Sequence, residues 1–318
     1  MTRGSGRARL AIARVGVLSW LILPAACGTP RITLPSGAGT PFPDAIPGYA
    51  DAVRECRGAR TLTASLNLSG RAGSSKLSAR VDAGFAEPGR LRLEGYPRIN
   101  FGGKPFFILV ATGRDATLVL TRDNRVLGGA APAAIIEALA GIALEPDEMR
   151  ALMTGCAIDN DEATDGRSFG QGWTSVQTGK TTVFLRPIEN RPRVAALRRG
   201  SLVVEYADFT GGQPATVHLH TTASANVAAA DLTIRISQRE VNVPLENAVF
   251  SVEVPKDAVP LTLEELRRAG PLGGGEAEAA AGTEEESTER IFFSVRPPVL
   301  RSFVVIGDRS LRLLRSHA

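Results

Sequence analysis

The feature that most constrains this chain is strict alternation. From Leu62 to Leu68, and again from Leu77 to Phe85, every second residue is apolar and the residues between are Thr, Ser, Asn, Arg, Asp or Gly. A period of two describes strands with one dry face. The intervening Ser69–Ser75 stretch is rich in Gly and Ser and reads as the turn of a hairpin. Arg90–Gly95, Phe106–Ala111 and Asp115–Thr121 continue the series as an antiparallel meander, with Thr112-Gly113-Arg114 as a tight turn.

The period then changes. Ile135, Ile136 and Leu139 within Pro132–Ala140, and Met149, Leu152 and Met153 within Pro146–Thr154, fall at helical spacing. Pro132 and Pro146 suit the first turn of a helix, and Gly155 suits a stop. Strands resume over Gly172–Gln177, Thr181–Arg186, Arg193–Leu197, Leu202–Phe209, Ala215–Thr221, Ala229–Ser237 and Ala248–Val252. Short helices are expected at Tyr49–Arg57 and Leu261–Ala269. The expectation is a mainly β chain of about eleven strands with a few short helices. A 5% aromatic content with 33 Gly and 20 Pro fits strands and turns better than a bundle.

The first 26 residues carry Arg3, Arg7, Arg9 and Arg14, no acid, and an apolar run from Val15 to Leu23. This is the layout of a secretory signal, and the run is shorter than the ~20 residues of a spanning helix. Leu23-Pro24-Ala25-Ala26-Cys27 resembles the lipobox of bacterial lipoproteins, with Pro24 where Leu is usual. Cleavage between Ala26 and Cys27, with acylation of Cys27, is the expectation; simple cleavage leaving a thiol is the alternative. Those four arginines account for the whole net charge of +4, so the mature chain is near neutral and nucleic acid is not an expected partner. Cys56 and Cys156 remain, in a compartment that permits disulfides. A bridge between them would close a loop of about 100 residues, worth up to ~4.7 kcal/mol in the chain-entropy view; two buried thiols are the other reading.

Residues 27–47 read as the lipidated cysteine and a tether, 48–270 as one folded domain, and 271–290 as a disordered acidic linker. Residues 291–318 form an apolar and basic tail of unassigned role. His218 and His220 face one side of a strand, but no third ligand is suggested. Glu94, Glu205 and Asp208 are strand carboxylates, read as a solvated face rather than acid–base groups. Without a nucleophile elbow, phosphate loop or zinc helix, the chain is not read as an enzyme, and no cofactor or metal is expected.

The order of elements, with Gly70-Arg71, Ala86-Glu87-Pro88, Arg90–Glu94, Gly141-Ile142-Ala143-Leu144, Met149-Arg150-Ala151-Leu152 and Gly155, resembles the LolA/LolB-like lipoprotein-carrier superfamily, closest to its outer-membrane receptor branch. The resemblance covers roughly residues 47–255 and implies an unclosed antiparallel β-barrel over a hydrophobic cavity. It implies binding of acyl chains or lipidated proteins and a role in lipoprotein localisation, by a protein anchored through Cys27 and facing the periplasm. Gly28, in place of an Asp after the cysteine, favours the outer membrane. Ile99 and Phe101 match the loop residues that enter the membrane in that branch. The expected cavity lining is Leu66, Leu68, Val81, Phe85, Leu91, Leu93, Ile108, Val110, Leu118 and Leu120. The alternative is a structural or assembly lipoprotein with a filled barrel and a protein partner.

Overall fold

A computed structural model describes residues 31–97, 103–222 and 229–270. The calls on Ala26, Cys27, Ile99, Phe101, the acidic linker and the tail therefore lie outside the described residues. Among those described, no helix is long and apolar enough to cross a membrane.

The chain opens with β1 (Thr40–Pro41) and α1 (Ala45–Arg57), then runs through β2 (Thr61–Ala72), β3 (Ser75–Ala86), β4 (Arg90–Tyr96), β5 (Phe107–Thr112), β6 (Asp115–Leu120) and β7 (Arg125–Ala130). Two helices follow, α2 (Pro132–Ala140) and α3 (Pro146–Met153). A second meander is built from β8 (Ala163–Ser168), β9 (Thr174–Thr178), β10 (Thr181–Ile188), β11 (Arg191–Arg199), β12 (Leu202–Thr210), β13 (Gln213–Thr221) and β14 (Ala230–Val241). A 3-10 turn (Asn247–Phe250), β15 (Val259–Pro260) and α4 (Leu263–Ala269) complete it.

All the strands form one open sheet in the order β1-β8-β9-β10-β11-β12-β13-β14-β2-β3-β4-β5-β6-β7-β15. Every pair is antiparallel except β15 with β7. The two meanders join at their first and last strands: β14 pairs with β2 from Ala230 opposite Ala72 to Val241 opposite Leu62. The mainly β, unclosed sheet is as expected.

The fifteen strands among the described residues exceed the expected number of about eleven. β7 and β8 were missed because Gly128-Gly129 and Asp165-Gly166 break any alternation. β1 and β15 are two-residue pairings that only the tertiary structure creates. The strand expected at Ala248–Val252 is instead the 3-10 turn, outside the sheet. Its apolar residues are explained by packing over the outer face of β4 and β5, with Phe250 buried. α1 begins at Ala45, inside the stretch read as a tether; Pro47 falls in its first turn, where the missing N–H has no intrahelical partner to lose.

Alternation decides which side is dry. The concave face carries Leu62, Phe85, Leu91, Leu109 and Leu118, each with no exposed surface, and meets Ile135 of α2 and Leu152 of α3 in one core. Two straps cover the convex face. Ile32 and Leu34 pack on a separate cluster around Trp173 and Phe184, and the Ile32 N–H donates to Glu205 at 3.2 Å. On the other half, Arg92 donates to the carbonyls of Val249 at 3.0 Å and Ser251 at 2.8 Å, binding the segment that leads to β15. That segment returns to the concave side, where α4 packs on α2 and buries Leu266.

Cys56 at the end of α1 and Cys156 just after α3 are bridged by a disulfide, with Cα atoms 5.6 Å apart. Iodoacetamide added to unfolded, unreduced protein should leave both cysteines unmodified; alkylation of both without a reductant would show free thiols. A second expectation concerns α4. Its cap is Thr262 with Glu265, whose carboxylate is held down at about 2 by the Thr262 N–H and hydroxyl and by Arg125. A depressed acid stabilises above its unfolded value and loses that contribution as pH falls through the folded one. Protection of the α4 amides, taken relative to the intrinsic exchange rate at each pH, should be complete above about pH 4.5 and fall ahead of that of the sheet as the pH approaches about 2.

Candidate functional site

The concave face is not completely filled. An apolar cavity of about 90 Å³ remains between the sheet and the two mid-chain helices. Its floor is Leu66 and Leu68 of β2, Leu77 and Val81 of β3, Leu93 of β4 and Ile234 of β14. Phe107 and Leu109 of β5 form one wall, Ile136 and Leu139 of α2 with Met149 of α3 form the roof, and Phe106 stands at the rim. Leu68, Phe106 and Ile234 are half-buried and mark where this lining reaches solvent.

The roof is placed by local chemistry. Pro132 occupies the first turn of α2, and Gly141 ends it with φ +76°. Gly141 also lies against β2, where an added Cβ would come 3.1 Å from that of Ala72. α3 starts with Pro146 inside a capping box formed by Glu145 and Glu148. Its fixed point is Arg150, 7% exposed, which donates to Glu87 Oε1 at 2.6 Å and to the carbonyl of Ala59. Asp147 adds a bond from the Gly89 N–H at 3.0 Å. A buried guanidinium needs such partners, because an unpaired one would be strongly destabilising. With Arg150 held, Met149 is turned over the cavity.

The wall depends on a glycine. Phe107 lies across the backbone of Gly95 on β4, so a Cβ at Gly95 would overlap its ring. The ring is fixed from the other side by an edge-on contact with Phe106, centroids 5.1 Å apart.

An apolar void of this kind stays dry, because a water inside it would find no polar partners. Pockets that enclose a drug-sized ligand are nearer ~300–1,000 Å³. The void is small by that measure, and it reaches solvent at Leu68, Phe106 and Ile234. The lining has no ionisable side chain, so what the cavity can do chemically is keep water from an apolar chain.

Of the expected lining, Leu66, Leu68, Val81 and Leu93 line the cavity. Phe85, Leu91 and Leu118 lie on the same face but in the packed core, and Leu120 packs at its edge. Ile108 and Val110 are corrections: they point to the convex side, while Phe107, Leu109 and Ala111 face inward. Phe106–Ala111 is apolar throughout, so alternation carries no phase there. What sets it is the ladder that places Leu109 opposite Leu93 and Leu118. The roof residues were read only as helical apolar positions. The signal that could have found them is that an apolar helix stripe must bury against something, and the sheet's dry face is available.

The titratable strand residues are away from the cavity. His218 and Glu205 are cross-strand neighbours on the convex face; His218 Nδ1 is 3.0 Å from Thr233 Oγ1, and burial lowers its pKa. Asp208 accepts from Thr216 at 2.6 Å. Glu94 accepts from Arg92 Nε at 2.7 Å and Tyr96 OH at 2.6 Å, and burial together with Glu94 raises the Tyr96 pKa. His220 lies on the same strand as His218, two residues on.

No protein-family model matches the chain, and no curated protein matches its sequence. Among solved structures, it is similar to a DUF1329 family protein from Desulfovibrio piger, at 13% identity and a TM-score of 0.44 over 64% of this chain and 96% of that one. It is also similar to a putative outer membrane lipoprotein-sorting protein domain from Vibrio parahaemolyticus (10% identity, TM-score 0.40, 64% and 97% covered). A LolA superfamily protein from Nitrosomonas europaea is a third (9% identity, TM-score 0.40, 65% and 96% covered).

Gly95→Ala should force Phe107 from its place and destabilise the domain by about 1–3 kcal/mol, the usual range for overpacking. Gly84→Ala, where the nearest atom to an added Cβ is Val249 Cγ1 at 4.0 Å, should be close to neutral. Urea midpoints of the two variants check this, and equal midpoints would show that Phe107 is not so constrained.

Proposed function

We propose that this chain is a cell-envelope lipoprotein, anchored through acylated Cys27, that takes an acyl chain into the cavity between the sheet and α2–α3 without chemistry of its own. The observation that carries the reading is the lining: an open sheet and two helices converge on a void whose walls are apolar apart from Ser78. Each methylene moved from water into such a site is worth ~0.8 kcal/mol. Met149 is suited to the roof, because an unbranched thioether repacks more readily than a β-branched side chain.

Lipidated proteins are the proposed source of the chain, with delivery to the outer membrane as the proposed role and the periplasm as the compartment. A second reading, an assembly lipoprotein with a filled barrel and a protein partner, is favoured by the small volume of the cavity. The two differ in whether lipid accompanies the domain.

Intact-mass and lipid analysis of protein extracted gently from membranes, wild type against Cys27→Ala, separates them. The carrier reading expects thioether-linked acyl groups on the wild type alone and additional non-covalent lipid on both proteins. An unmodified Cys27 would remove the anchor. Absence of lipid from both domains would favour the filled barrel.

A further inference from the structure

The two straps leave a window on the convex face. The first runs from Arg31 over the second meander, where Ile32 and Leu34 pack around Trp173 and Phe184, and the other lies over β4 and β5. Between them, the outward-facing positions of β14, β2 and β3 carry Arg71, Lys76 and Arg235, all exposed. The ladder places Arg71 directly opposite Lys76, and Arg235 opposite Asn67. Like charges directly opposite on neighbouring strands repel. Arg71 donates to the Ser74 carbonyl at 3.0 Å, a contact that leaves its charge unpaired. Nearby acids are already engaged: Asp231, opposite Arg71 on the other side, is bound to Arg31, and Asp82 is 3.7 Å from Arg80. Three cations therefore stand in excess, on strands whose positions the ladder fixes.

The first strap also limits how far this window can be from the anchor. Arg31 is pinned to Asp231, and the next N–H along the chain, that of Ile32, donates to Glu205 at 3.2 Å. Cys27 precedes Arg31 by four residues, a length of chain that spans at most ~14 Å. The leash is therefore short, unlike the long tether expected of residues 27–47. We infer that the window is a membrane-docking surface: with Cys27 acylated in the bilayer, Arg71, Lys76 and Arg235 bind the phosphates of anionic phospholipid head groups. This rests on the anchor in the reading above and adds the orientation of the domain. So short a leash keeps the Asp231 end of β14 within reach of the head groups. Each Lys or Arg brought against an anionic leaflet raises affinity about fivefold, and the phosphates offset the repulsion between Arg71 and Lys76.

The test uses the lipoprotein incorporated into vesicles by its own acyl chains. Acylation of Cys27 and the Cys56–Cys156 bridge leave no native thiol. A dye can then be placed on Ser74→Cys, in the turn between β2 and β3, or on Arg114→Cys, in the turn between β5 and β6 at the opposite end of the sheet. Energy transfer from the dye to rhodamine-labelled head groups reports proximity, and the ends of β2 are roughly 36 Å apart. In vesicles rich in phosphatidylglycerol at low salt, transfer from position 74 should be severalfold greater than from position 114. The difference should shrink severalfold in pure phosphatidylcholine, and likewise at about 0.5 M NaCl, where the screening length is only a few ångströms. It should shrink equally in the triple variant Arg71→Gln, Lys76→Gln, Arg235→Gln, whose urea midpoint should not fall because like charges are removed. Equal transfer from the two positions, or a difference that survives both neutral lipid and the triple variant, overturns the inference. A difference that follows protein density in the vesicle, and not phosphatidylglycerol content, assigns the window to a second copy of the chain and overturns it too. Protein that fails to enter vesicles because Cys27 is unmodified overturns the anchor instead, a separate outcome.

Discussion

The ladder between β14 and β2 is the contact on which the rest of the molecule depends. Each meander, β2–β7 and β8–β14, is a local structure that forms between neighbours in the chain. Each alone would leave its apolar face and its two edge strands open to water. Pairing the last strand of the second with the first of the first, from Ala230 opposite Ala72 onward, makes one sheet from two. It also brings together residues more than a hundred positions apart, which is slow to form because the closing chain must lose its freedom before the contacts reward it. The right-handed twist of so many strands curls the sheet, and the concavity follows from the curl.

A curled sheet with a dry inside must be filled, and the sequence between the meanders supplies the filler. α2 and α3 leave β7 and return to β8, so the connection that lets the chain pass from one meander to the other also roofs the concave face. α1 fills the rest on the β8, β9 and β11 side. The fit falls short over Leu66, Leu77 and Leu93, and the cavity is what remains. α2 and α3 form its roof. α4 bears on the same roof: Arg267 is 3.2 Å from Glu137 of α2, while Leu266 is buried beside it. α2 and α4 are thus held to one another as well as to the sheet.

The convex face has its own logic. Ordinarily the outer face of such a sheet would be polar, yet Val110, Val119, Phe184 and Ala196 are buried there. Straps from the two ends of the domain cover them, the first through Ile32 and Leu34 and the second through the turn at Asn247–Phe250. The charged strand residues belong to this arrangement. Glu205 receives a strap N–H, and Arg92 binds strap carbonyls. Their burial has a structural cause and needs no catalytic one.

Much of this was legible in the residues. Period-two runs such as Leu62–Leu68 and Leu77–Phe85 have only one way to bury half their side chains, so strand, face and hairpin follow directly. The helices at Pro132 and Pro146 were equally plain, because proline, apolar spacing and a terminal glycine agree. The open barrel was implied by the family resemblance that the order of elements and the short motifs carry. Tertiary structure decided the rest. Phe106–Ala111 is apolar on both faces, and its phase came from the ladders to β4 and β6. Ala248–Phe250 is apolar because it lies on another element, a reason that no local pattern can express. The cavity is a small difference between a large concave surface and the helices that cover it. Sequence determined that such an apolar surface exists; only packing in three dimensions determined how little of it remains empty.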